Sequence, residues 1–74
     1  MKVDQKGHTI TIKDTQGDLS SFLTKVTSQF KTFESHNIII DLLHYNNLSI
    51  DQIKLFLPLS KQHKKNKKSF IKNR

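Results

Sequence analysis

The sequence predicts a small α/β domain, a sheet with helices packed on it, and three stretches carry that reading. His8 to Lys13 alternates with the period of a strand, Leu19 to Phe33 repeats with the period of a helix, and Asn37 to Leu43 is a short β-branched and aliphatic run. With 74 residues there is room for one domain and one small core.

Lys2 to Lys6 and His8 to Lys13 flank Gly7, which reads as a β-hairpin. In its second arm His8, Ile10 and Ile12 share one face and Thr9, Thr11 and Lys13 the other. Thr15-Gln16-Gly17-Asp18 is a turn whose Asp18 can cap a helix by accepting from free backbone N–H groups. Leu19, Phe22, Leu23, Val26, Phe30 and Phe33 then form an apolar stripe, so an amphipathic helix is expected over about residues 19 to 35. Asn37 to Leu43 lacks alternation and therefore suits a central strand covered on both faces. His44 to Asn47 is a loop. Ser49-Ile50-Asp51-Gln52 has the capping-box pattern and opens a second helix, which Pro58 should kink or shorten. Ser69-Phe70-Ile71 looks like the beginning of a last strand.

Composition narrows the functional classes. Without cysteine there is no disulfide, thiolate-held zinc or thiol nucleophile. No uncharged apolar run approaches the roughly 20 residues that span a bilayer, and Met1-Lys2-Val3-Asp4 is not followed by the apolar stretch of a signal peptide. No membrane insertion and a cytoplasmic location are expected. The net charge of +7 is local, because six lysines balance six acids up to residue 60 and seven cations without an acid follow. Residues 61–74 therefore read as a basic helix end and tail on a single domain spanning 1–74.

The segment Asn37-Ile38-Ile39-Ile40-Asp41-Leu42, followed a few residues later by a helix, resembles the central strand of the STAS domain found in anti-sigma factor antagonists and in sulfate-transporter cytoplasmic regions. Leu55-Phe56-Leu57-Pro58-Leu59-Ser60 and Lys68-Ser69-Phe70 look still more like a set of short bacterial STAS-like proteins encoded beside ribonuclease Z. The resemblance implies a β-β-α-β-α-(β) sheet with helices packed on it and a regulatory role through protein–protein contact. It also implies a further helix after the last strand, so the chain looks C-terminally truncated. In the antagonists a phosphorylatable Ser lies in an Asp-Ser-Ser-Gly type loop. Here Asp51 stands at that position and Ser49 where the family has Asp, so the phosphoswitch does not carry over.

No catalytic residue, cofactor or metal site is expected. His8, His36, His44 and His63 show no paired ligand spacing, and the His-x-His-x-Asp-His signature of a true ribonuclease Z is absent. Asp41 in its apolar strand is expected to bond loop backbone N–H groups or Ser49, because an ionised carboxylate there needs partners. The expected partner-binding residues are His44, Tyr45, Ser49, Asp51 and Gln52, contacting a protein, with self-association as a further expectation. The competing expectation is nucleic-acid binding through the tail cations Lys61, Lys64, Lys65, Lys67, Lys68, Lys72 and Arg74, which could neutralise phosphates.

Overall fold

The computed structural model describes residues 1–14, 17–45, 48–63 and 68–72. Its elements follow the order β1 (Lys2–Lys6), β2 (Thr9–Lys13), α1 (Leu19–Thr32), β3 (Asn37–Asp41), α2 (Ile50–Lys54), α3 (Leu57–Gln62) and β4 (Ser69–Lys72). The Cα radius of gyration of 11.4 Å matches the roughly 11 Å of a folded globule of this length.

The four strands lie in the order β1-β2-β3-β4. β1 and β2 are antiparallel, and Gly7 opens their turn at φ 63°, the left-handed backbone that tight hairpins require. β3 runs parallel to β2, and β4 parallel to β3. Both parallel connections step across the sheet in the same direction. Right-handed crossovers then place α1 and the α2–α3 segment on one and the same face.

The core follows from that geometry. Ile10 and Ile12 of β2, Ile38 and Ile40 of β3, and Leu42 turn toward the helices and are fully buried with Phe22, Val26 and Phe56. The Phe22 and Phe56 rings lie 6.1 Å apart, which ties α1 to the break between α2 and α3. The expectation of a central strand covered on both faces is corrected here. Ile39 is only half-buried, because β3 alternates like β2 and lies under helices on one face alone. Leu57, beyond the break in the second helix, is 41% exposed.

The helix caps are those the sequence specifies. Asp18 accepts from the Ser21 N–H at 2.8 Å, and this bond holds its carboxyl below the usual aspartate range. The second helix is interrupted at Leu55–Phe56, and Pro58 sits in the first turn of α3, where no backbone donor is required of it.

The strand read as beginning at Ser69 is a full member of the sheet. Ile38 donates to the Lys68 carbonyl at 2.9 Å and Leu42 to that of Lys72 at 2.8 Å. β3 is therefore paired along both sides. The sheet face away from the helices has no covering element among the described residues. It carries the register rows Lys2–Lys13–Asp41–Lys72, Asp4–Thr11–Ile39–Phe70 and Lys6–Thr9–Asn37.

Candidate functional site

The parallel strands end at one edge of the sheet, where open α/β sheets commonly hold their sites. Asp41 closes β3 there. Its Oδ1 accepts from the Leu43 N–H at 2.9 Å, so the expected bond to loop backbone is formed, and the bond turns the chain out of the sheet. His44 follows as an exposed loop residue with its ring 6.4 Å from that of Tyr45. Tyr45 turns back inward onto Phe22, at 5.8 Å between ring centres.

Tyr45 feels the charge of a group that sequence reading missed. Asp14, directly after β2, is 2% exposed, and its Oδ1 lies 3.5 Å from the Met1 ammonium. Burial, followed by the charges of Asp14 and Asp18, raises the Tyr45 pKa, so the phenol stays a neutral donor. Its hydroxyl makes a long 3.5 Å contact to the Asp18 carbonyl. The signal for Asp14 was present in the alternation Ile10-Ile12-Asp14, which assigns that carboxylate to the inward face.

The loop leads into α2 through a complete capping box. Ser49 Oγ accepts from the Gln52 N–H at 3.2 Å, and Gln52 Oε1 accepts from the Ser49 N–H at 2.8 Å. Two of the proposed contact residues thus spend their polar atoms on local structure, while Asp51 is exposed in the first turn. Because the hydroxyl is an N-cap, Ser49→Ala should destabilise the chain by about 1 kcal/mol, and Ser49→Asp should be tolerated because a carboxylate also caps. Urea titration of the two variants checks this. A large loss with Asp and none with Ala would exclude the capping role.

Three of the seven basic residues of the tail fall among the described residues. Lys61 is exposed near the end of α3 and Lys72 on β4, while Lys68 heads β4 with its N–H donating to Asn37 Oδ1 at 3.0 Å. Lys64, Lys65, Lys67 and Arg74 lie outside the described residues.

Three histidines that are far apart in sequence meet at the opposite edge of the sheet. His63 Nε2 lies 2.6 Å from the His36 carbonyl, the His8 and His36 rings are 6.2 Å apart, and Phe33 stacks edge-on to His36. The first is a hydrogen bond and the others are ring contacts; among the described residues no group of three His, Cys, Asp or Glu could hold a metal ion.

No family model matches the chain, and neither a curated protein nor a solved structure matches it.

Proposed function

We propose that the chain is a non-catalytic, STAS-like regulatory module that binds a protein partner through the loop and helix starting at Ser49. The observation that carries this reading is the apolar exposure of that segment. Of the five large hydrophobics exposed among the described residues, Ile50 at 71%, Leu55 at 51% and Leu57 at 41% fall within eight consecutive positions. A short helix with apolar side chains facing water at both its ends is better explained by a surface that another protein covers than by solubility. His44 and Asp51, exposed on the same stretch, supply a polar rim.

The test is affinity capture from the source cell with the wild type and with an Ile50→Ser/Leu55→Ser double variant. A specific partner should survive moderate salt, because apolar contact is little screened. Its affinity should fall at least about 30-fold in the double variant, as for a pair of interface anchors. Equal capture by both proteins, or capture lost on raising salt alone, would reject the reading.

A further inference from the structure

The uncovered sheet face gathers charges that the sequence scatters. Lys2, Lys13 and Lys72 lie in one register row with Asp41, and Lys6 lies at the other end of the same face. Lys68, exposed and two residues before Phe70, continues the outward parity of β4. With Asp4 also on this face, five lysines stand against two aspartates. Between the two basic ends runs the row Asp4–Thr11–Ile39–Phe70, with the acid at the far strand from Phe70, whose ring is 55% exposed. Successive rows are about 6.6 Å apart along the strands.

A phenyl ring held on a rigid strand with half its surface in water, and with cations on both sides, has the two components that single-stranded polynucleotide binding needs. These are a π-face on which a base can stack and ammonium groups that displace counterions from phosphates. A second copy of the chain would not fit, since docking this face on itself would bring lysines against lysines. A duplex fits less well, because its bases are already stacked and offer no face to Phe70.

We propose that the open face of the sheet is a binding platform for single-stranded nucleic acid, with Phe70 as the stacking ring and Lys2, Lys13 and Lys72 on one side and Lys6 and Lys68 on the other as phosphate contacts. The site is separate from the Ser49 segment and does not depend on its role. It also differs from a purely electrostatic tail, because Lys2, Lys6 and Lys13 belong to the N-terminal hairpin.

Fluorescence anisotropy on the full chain tests it, with labelled oligouridylate, oligothymidylate and a duplex of equal length, between about 50 and 200 mM salt. Both single strands should bind more tightly than the duplex; a preference between them tells RNA from DNA. Phe70→Leu keeps apolar bulk and strand preference but removes the π-face. It should bind roughly five- to 150-fold more weakly, while Phe70→Tyr should bind like the wild type. Lys13→Gln should flatten the salt dependence by about 0.7 in logarithmic slope, the share of one phosphate contact on a single strand. Circular dichroism confirms that each variant is folded. The Ile50→Ser/Leu55→Ser protein should bind the oligonucleotides unchanged. Equal binding of duplex and single strand, wild-type binding by Phe70→Leu, an unchanged slope with Lys13→Gln, or equal displacement by polyglutamate would each overturn the proposal.

Discussion

Ile40→Ala is expected to remove most of the chain's stability, whereas Ile39→Ala, one residue away, is expected to leave a folded protein. Ile40 is fully buried under the helices, so its truncation loses transfer free energy and leaves a cavity, together about 2 to 5 kcal/mol. A domain of this length commands roughly 4 to 11 kcal/mol in total. Ile39 points to the open face and is only half-buried, so its loss should be nearer the ~1 kcal/mol typical of a point substitution. Urea denaturation of the two variants makes the comparison. Equal costs would mean that both faces of β3 are covered.

Phe56→Ala should be as damaging, at about 3 to 5 kcal/mol, although Phe56 lies outside any regular element. It is fully buried at the interruption between α2 and α3 and stands 6.1 Å from Phe22, so it fixes that segment onto α1. Leu55, its half-exposed neighbour, should change stability by only about 0.5 kcal/mol when replaced by alanine. Thermal melts of Phe56→Ala and Leu55→Ala separate the two roles. If the Leu55 variant fell as far as the Phe56 variant, the segment would be packed through the other side.

The elements were legible because their determinants are local. Thr9 to Lys13 declares its inward and outward faces by alternation, and Asp18 and Ser49 declare the helix starts by cap chemistry. Ile38-Ile39-Ile40 could not be read in this way, since three consecutive isoleucines suit a strand covered on one face or on both. The direction of the two crossovers decides the matter, and that is a property of strand order rather than of any residue. The same holds for the sites. Ser49 and Gln52 were visible as a motif, whereas Phe70 joined to Lys2 and Lys13 depends on register between strands some sixty residues apart in sequence.

Strand order in this sheet repeats chain order, so every strand was added to the edge left by the one before it. Such a chain can assemble by successive short loop closures, and it can also come apart one step at a time. β4, like β1, is held by a single seam, and at four residues it is the shortest strand, so its opening is one such local step. Phe70 leaves with it. Any ligand that bridges β4 to its neighbours across the open face would therefore act as a clasp, raising the free energy of that local opening in proportion to the logarithm of its concentration once the site is saturated. Occupancy and order at this end of the fold would then be one equilibrium.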